Sequence, residues 1–301
     1  MDLFDCAIIG AGPAGLSASL VLGRSRRKIA LFDNGTNRNQ VTQESHGFLT
    51  RDGIKPEEFR EIGLKELKNY PSVQYHAKTV TNITKQSSGV FTISTLDNQK
   101  YSAEKVVLAA GIQEIFPKVP NIKQYYGKSL FSCPYCDGWE LRDQPLIIIC
   151  DNEDYVMHMG KLIYNWTKDL VIATNGLELS SSIMNDLRRK NISVMTEPIK
   201  KLCGEDGYLN KVEFASGYEI QRTRGFIVPS FFRPNQFAEH LHCEVQNNGV
   251  IETDESGRTS QKNVYSAGET SALGPSSLMI AAGEGNKTAV AVNMDLINER
   301  F

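Results

Sequence analysis

No stretch of this chain approaches the roughly 20 consecutive apolar residues that cross a bilayer. Neither sign of charge prevails, with 33 Lys and Arg against 35 Asp and Glu. The first absence speaks against a membrane span. The second, a net charge of −2, removes the electrostatic case for nucleic acid or an acidic membrane surface as a partner. Cysteine is also scarce, and six in 301 residues are too few for a disulfide scaffold. Four of them (Cys6, Cys150, Cys203 and Cys243) stand singly among apolar neighbours, as reduced, buried thiols do. The opening MDLFDCAIIGAG lacks the basic flank and long apolar stretch of a secretory signal and reads as a working strand. Repeats and low-complexity tracts are missing as well. What remains is an ordinary globular composition, long enough for two well-formed cores, and the expectation of a cytoplasmic protein.

The glycines that are present fall where they carry chemistry. In LFDCAIIGAGPAGLSASLVLGRSRRKIALFDNG, a short apolar strand at 5–9 runs into Gly10-Ala11-Gly12-Pro13-Ala14-Gly15. Helix-compatible spacing follows over 16–23, and a second strand at 28–32 ends at Asp33. This is a GxGxxG turn inside a βαβ unit. Gly10 permits the tight turn, Gly12 lets the backbone approach a pyrophosphate, and Gly15 lets helix and strand pack closely. The helix N-terminus offers free N–H groups and a positive dipole end to the phosphates. Asp33 falls 21 residues after Gly12, where a carboxylate holds a ribose 2′-hydroxyl and would repel the 2′-phosphate of NADP.

The motif leaves FAD and NAD open, and the far end of the chain separates them. KNVYSAGETSALGPSSLMIAAGEGNKTAVAVN (262–293) gives a strand, the Gly268-Glu269 turn, a polar loop and a small-residue helix. Together with KVVLAAGI (105–112) it resembles the FAD domain of the two-dinucleotide-fold flavoproteins. That resemblance implies FAD as cofactor, with Pro13 and Ala14 of the turn, Asn34 and Gly111 among its contacts. It places the strand-end acid Glu269 on the ribityl chain. Ser277 and Leu278 open a last helix whose N-terminus points at the flavin pyrimidine, the end of the ring that gathers negative charge on reduction. The family usually has Asp where this chain has Glu269, which is one methylene longer.

SLFSCPYCDGWELRD (129–143) holds the other two cysteines. Cys133 and Cys136 flank a Pro-Tyr pair and open a segment of helical character, where the dipole lowers a thiol pKa and makes a better nucleophile. Half of a zinc site would need two more ligands, and no second CxxC or close His pair occurs in the chain; no metal is expected. A thioredoxin fold would carry its CxxC after the first strand of a small domain, not behind a dinucleotide domain. An inert pair stays open on the residues alone.

The order of Gly10/Gly12/Gly15, CxxC-Asp-Gly at 133–138 and the Gly268-Glu269 turn before a last helix is similar to the low-molecular-weight thioredoxin reductases, over nearly the whole chain. Within that superfamily, HGFLTRDG (46–53) and CPYCDGWELRDQP (133–145) look most like the branch of gliotoxin-type dithiol oxidases and reductase-like proteins lacking an NADPH site. Carried over by position, Cys136 lies against flavin C4a, Cys133 exchanges with an external thiol or disulfide, and Asp137 protonates the departing thiolate. Many oxidase-branch members have His where Asp137 stands, so this residue sides with the reductases. An acid in a first helical turn also complements the dipole, and both roles can hold together. The same resemblance puts His46 near the flavin; on the residues alone it is equally a loop histidine. His158 is read as structural.

PLIIICDNEDYVMHMG (145–160) repeats the strand–turn–helix outline, with a strand at 145–150, a helix at about 154–166 and a strand at 169–173. Glycine is absent from it until Gly160, inside the helix. Asp151, Glu153 and Asp154 occupy the space a pyrophosphate needs. They satisfy the helix start and repel a second anion by about 1 kcal/mol per pair at 4 Å in water. The thioredoxin reductases carry an Arg-rich motif after the next strand, whereas IATNGLE (172–178) contains none and the next arginine is Arg188. The expectation is a βαβ unit that kept its packing and lost its NADPH grip.

The expected fold class is α/β, with two Rossmann-like three-layer ββα dinucleotide-binding domains, the second inserted in the first. Residues 1–116 and 235–301 form the FAD domain, and 117–234 carry the dithiol and the degenerate βαβ. KVPNIKQYYG (118–127) and VPSFFRPNQFA (228–238) read as paired linkers, and 86–104 as a hairpin of the FAD domain. The expected function is FAD-dependent thiol-disulfide exchange through the 133/136 pair, with a thioredoxin-like protein or a small dithiol or disulfide as partner. An electron-carrier protein is one candidate donor, and the resemblance implies a homodimer. Two other readings stay open: an NAD(P)H-dependent reductase that binds its nucleotide atypically, and a flavin-bound redox sensor without turnover.

Overall fold

The computed structural model describes residues 2–272, 274 and 276–301. The chain divides into two compact units, one of Met1–Gln40, Gly47–Gln113 and Phe232–Phe301, the other of Val41–His46 and Glu114–Phe231. In chain order the elements begin β1 (Leu3–Ile9), α1 (Pro13–Arg24), β2 (Ile29–Asp33), α2 (Pro56–Leu67), β3 (Val73–Ala77), β4 (Val80–Lys85), β5 (Phe91–Thr95) and β6 (Lys100–Leu108). There follow β7 (Gln113–Ile115), α3 (Ile122–Tyr125), β8 (Leu130–Phe131), α4 (Pro134–Asp137), β9 (Leu146–Ile149), α5 (Glu153–Ile163), β10 (Leu170–Ala173) and α6 (Ser181–Arg189). The remainder is β11 (Ser193–Met195), β12 (Ile199–Glu205), β13 (Tyr208–Phe214), β14 (Glu219–Gln221), β15 (Arg224–Ile227), β16 (Ser230–Phe232), α7 (Phe237–His240), β17 (Val264–Ser266) and α8 (Leu278–Arg300).

In the first unit β6 is the hub. β1 pairs with it in parallel on one side from Leu3↔Ser102 to Ile9↔Leu108, and on the other side its C-terminal end pairs in parallel with β17 (Ser266↔Leu108). Its N-terminal half pairs antiparallel with β5 (Ile93↔Tyr101), and β4 closes that meander. The hairpin expected at 86–104 and the segment KVVLAAGI (105–112) thus meet in one nine-residue element, because β5 and β17 each cover only part of the same edge of β6. The period of two sends Cys6 and Ile8 to the face covered by α1 and α8, and Ala7 and Ile9 to a second core with Phe91, Phe237 and Leu241.

Two features of this packing escape local patterns. A Cβ on Gly285 of α8 would lie 2.0 Å from the Ala14 carbonyl oxygen, so the two helices meet backbone to backbone. Lys105, fully buried in β6, donates from Nζ to Asn263 Oδ1 and Glu299 Oε2, each at 2.8 Å. Lys105→Met keeps the apolar stem but loses both bonds. Because Glu299 is 37% exposed and is rehydrated, the expected cost is about 2 kcal/mol rather than that of a stranded buried charge, read as a lower urea midpoint.

The second unit has a parallel sheet in the order β11-β10-β9-β15-β8 and an antiparallel sheet β12-β13-β14. Its central strands, LIII and LVIA, are buried throughout, as parallel strands covered on both faces must be. One face packs against the antiparallel sheet around Ile147, Val212 and Phe214, and the other against α5 and α6 around Ile148, Val156 and Leu187. Both units are therefore three-layer ββα folds of the Rossmann kind. The chain passes between them at 40/41, 46/47, 113/114 and 231/232; residues 118–127 lie inside the second unit and supply α3. Among the described residues no helix is long and apolar enough to cross a membrane.

Candidate active site

β1, β6 and β17 end side by side, which brings the loops after Ile9, Leu108 and Ser266 to one edge of the first sheet. Gly10 stands at φ 109°, and a Cβ there would lie 2.3 Å from the Ala109 carbonyl oxygen. A Cβ on Gly15 would lie 1.8 Å from the Gly10 carbonyl oxygen. Both glycines are demanded by the protein's own packing. Gly12 differs, because a Cβ on it would meet no protein atom within 4 Å. It N-caps α1, with Pro13 at the first position, no side-chain cap and no acid in the first turn. The amides of Ala14 and Gly15 lack intrahelical partners, so they and the dipole meet an open face, as a pyrophosphate requires.

Asp33 closes the same edge. Its Oδ1 accepts from the Ala11 amide at 3.2 Å, and its Oδ2 accepts from Arg60 Nε and Nη2 at 3.0 and 2.6 Å. Asn34 turns inward on its own loop, accepting from the amide and hydroxyl of Thr36. The Gly111 amide donates to Thr270 Oγ1 at 3.1 Å, and the Gly268 amide to Glu284 Oε2 at 2.8 Å. Glu269 accepts from Arg38 Nη2 at 2.5 Å and from the Ser276 hydroxyl. Ser277 caps α8 by accepting from the Ile280 amide at 3.1 Å, so Leu278 opens the helix. Sequence reading missed Arg38, Arg60 and Glu284; they come from a 3-10 turn, α2 and α8, where charged residues of ordinary surface type carry no local signal. The open glycine turn, the strand-end acid and the uncapped α1 together fit a bound dinucleotide.

The dithiol lies in the second unit. Cys133 and Cys136 form a disulfide, with Cα atoms 5.2 Å apart. Cys133 N-caps α4, and its carbonyl accepts from the amides of Cys136 and Asp137, both at 3.1 Å. The two cysteines are half-buried, between buried Pro134 and exposed Tyr135 and Trp139. A Cβ on Gly138 would lie 2.4 Å from the Pro134 oxygen and 2.8 Å from the Trp166 ring, which explains a glycine after Asp137. The Asp137 carboxyl is pushed up to about 7, chiefly by burial; His46 opposes the rise and Glu140 reinforces it. Such a group holds and releases a proton near neutral pH. His46 belongs by its contacts to this unit, with Nε2 3.5 Å from Glu44 Oε2 and 3.8 Å from Glu140 Oε1.

The second strand–turn–helix has no comparable opening. Asn152 caps α5 by accepting from the Asp154 amide at 3.0 Å, and Glu153 and Asp154 fill the first turn. Glu153 also accepts from the Ser180 amide at 2.7 Å. Gly160 serves packing, since a Cβ there would lie 3.3 Å from Ile172 and from Leu187. Among the described residues no cluster of three or more His, Cys, Asp or Glu is placed to hold a metal ion.

The sequence profile of the pyridine nucleotide-disulphide oxidoreductases matches residues 4–285. A protein of Arthroderma benhamiae, provisionally named a thioredoxin reductase, is 29% identical over 337 residues, covering 99% of this chain and 81% of its own. Thioredoxin reductase sirT of Leptosphaeria maculans is 28% identical over 287 residues, covering 89% of this chain and 87% of its own. Among solved structures, TrxB of Bacillus anthracis, provisionally assigned to the thioredoxin reductases, matches with a TM-score of 0.97 and 67% identity, covering 99% of this chain and 100% of that one.

Proposed function

This chain belongs to the pyridine nucleotide-disulphide oxidoreductase family and is a thioredoxin reductase-like oxidoreductase with FAD as its cofactor; we propose that it exchanges electrons between FAD and an external dithiol or disulfide through Cys133 and Cys136, without a normal NADPH site. The observation that carries the reading is the Cys133–Cys136 disulfide at the start of the same short helix as Asp137, whose carboxyl burial pushes up to about 7. FAD supplies a two-electron donor and acceptor when bound. Gly12 and the α1 amides hold its pyrophosphate, Asp33 its ribose, and Glu269 and the α8 N-terminus its flavin half. Cys133 meets the external sulfur, Cys136 completes the exchange, and Asp137 delivers or removes the proton of the departing thiol.

The missing NADPH grip is supported by the occupied start of α5, where a side-chain cap and two carboxylates take the place of glycines. The partner is a thioredoxin-like protein or a small dithiol or disulfide, and an electron-carrier protein remains a candidate donor for the reducing direction. The FAD-loaded protein, kept free of oxygen, tests both parts through its flavin band near roughly 450 nm. The band is expected to persist with NADPH and NADH and to bleach with a dithiol. Rapid bleaching by NADPH would return the protein to the NAD(P)H-dependent reductases, and indifference to every dithiol would remove the exchange itself. Reoxidation in air then separates an oxidase from a carrier-fed reductase.

A further inference from the structure

Ser132 is the single residue between the end of β8 at Phe131 and Cys133, the N-cap of α4. Its hydroxyl ends a chain of hydrogen bonds. Tyr126 Oη donates to Glu114 Oε1 at 2.7 Å and lies 2.9 Å from Ser132 Oγ. A tyrosine has one hydroxyl proton. Tyr126 gives it to the Glu114 carboxylate, so the Ser132 hydroxyl donates to Tyr126. The chain runs one way, from Ser132 through Tyr126 to Glu114 of β7, and all three residues are half-buried and inside the second unit. The Tyr126 ring is itself fixed, packing edge-on against Phe116 with centroids 4.8 Å apart. Its backbone bridges Leu130, and the Gly127 amide donates to the Leu130 carbonyl at 2.9 Å. Cys136 is held differently, by its amide on the Cys133 carbonyl and by the close fit of Gly138 against Trp166.

We propose that Tyr126 is a positioning residue for Cys133: it pins Ser132, the residue that precedes Cys133 in the chain, and so biases the pair toward the disulfide. This rests on the thiol-exchange reading. Reduction breaks the Cys133–Cys136 S–S bond and leaves two thiols. The two electrons and two protons come from an external dithiol, which closes to its own disulfide. Once the bond is broken, only the surrounding chain keeps the two sulfurs near each other. A pair free to spread gains conformational entropy, which favours the dithiol. A pinned pair keeps a high effective concentration of one thiol at the other, which favours the disulfide. Cys136 is fixed within α4, so the freedom at stake lies on the Cys133 side, where Ser132 leads in from β8. A pair held this way has a lower reduction potential. It is the better donor to an external disulfide and the poorer acceptor from an external dithiol.

The test is the pair's equilibrium with dithiothreitol, in FAD-loaded protein kept free of oxygen. Mixtures of reduced and oxidised dithiothreitol are quenched with acid, and differential alkylation with peptide mass reads the dithiol fraction at 133/136. Tyr126→Phe keeps the ring and its contact with Phe116 but loses both hydrogen bonds. It should shift the equilibrium about 10-fold toward the dithiol, roughly 30 mV in potential. Ser132→Ala should shift it the same way. The double variant should shift by clearly less than the sum of the two, since both single changes break one shared bond. Phe116→Leu loosens the packing without touching the hydroxyls, and should lower Tm while leaving the potential in place. Three results would each overturn the assignment: in either single variant a shift under about 3-fold or toward the disulfide, additive shifts in the double variant, or a shift of about 3-fold or more in Phe116→Leu. The readout needs neither a physiological substrate nor a nucleotide. A parental pair that dithiothreitol never reduces would instead fell the thiol-exchange reading, and this inference with it.

Discussion

Replacing Cys133 by serine lowers thiol-driven turnover by about 1000-fold or more. The thiolate is the nucleophile in disulfide exchange, and a serine hydroxyl neither ionises at neutral pH nor forms the S–S bond. Cys133 and Cys136 are both half-buried, so exposure alone does not rank them, but trapping does. In Cys136→Ser, Cys133 attacks an added disulfide and expels one thiolate, and no second thiol resolves the product. One mixed disulfide per chain should accumulate, seen by intact mass. Cys133→Ser should accumulate little. Burial pushes up the thiols of Cys6, Cys243 and Cys150, the last to about 11. Half-buried Cys203 is then the main background, which the double variant Cys133→Ser/Cys136→Ser subtracts. A reversed trapping pattern would exchange the two roles; parental turnover in both single variants would remove the dithiol from the reaction.

A pair of single-methyl changes in the glycine turn should separate folding from cofactor binding. Gly15→Ala places a Cβ 1.8 Å from the Gly10 carbonyl oxygen, and that oxygen is backbone that cannot rotate away. The start of α1 must leave the end of β1, at an expected cost of about 3 kcal/mol, with loss of FAD and a lower Tm. Gly12→Ala meets no protein atom within 4 Å. Its apo stability should stay within about 0.5 kcal/mol of the parent. FAD affinity should nevertheless fall about 10-fold or more, because the added methyl stands where the pyrophosphate approaches. Thermal melts of apo and FAD-loaded protein read both effects. Full FAD affinity in Gly12→Ala would move the pyrophosphate away from that residue.

Much of this was legible because it is local. The β1–turn–α1 unit announces itself through an apolar run, three glycines at fixed spacing and Asp33 at the next strand end. The CxxC and its following Asp-Gly lie within the six residues 133–138. The occupied start of α5 was legible from Glu153 and Asp154, whereas the cap itself is Asn152, beside the Asp151 that sequence reading named instead.

By itself, the amino-acid order determined the two α/β patterns, the dinucleotide turn, the dithiol and the absence of glycine at the second turn, all of them matters of period and spacing within a few residues. Only the tertiary structure decided which distant charges complete the sites. Arg60 reaches Asp33 across 27 positions, Arg38 reaches Glu269 across 231, and Lys105 reaches Glu299 across 194. It also decided that Gly285 lets α8 touch α1 and that His46 keeps company with Glu140. A charged side chain carries no mark of its partner; burial and chain return select it, and neither can be read from spacing along the chain.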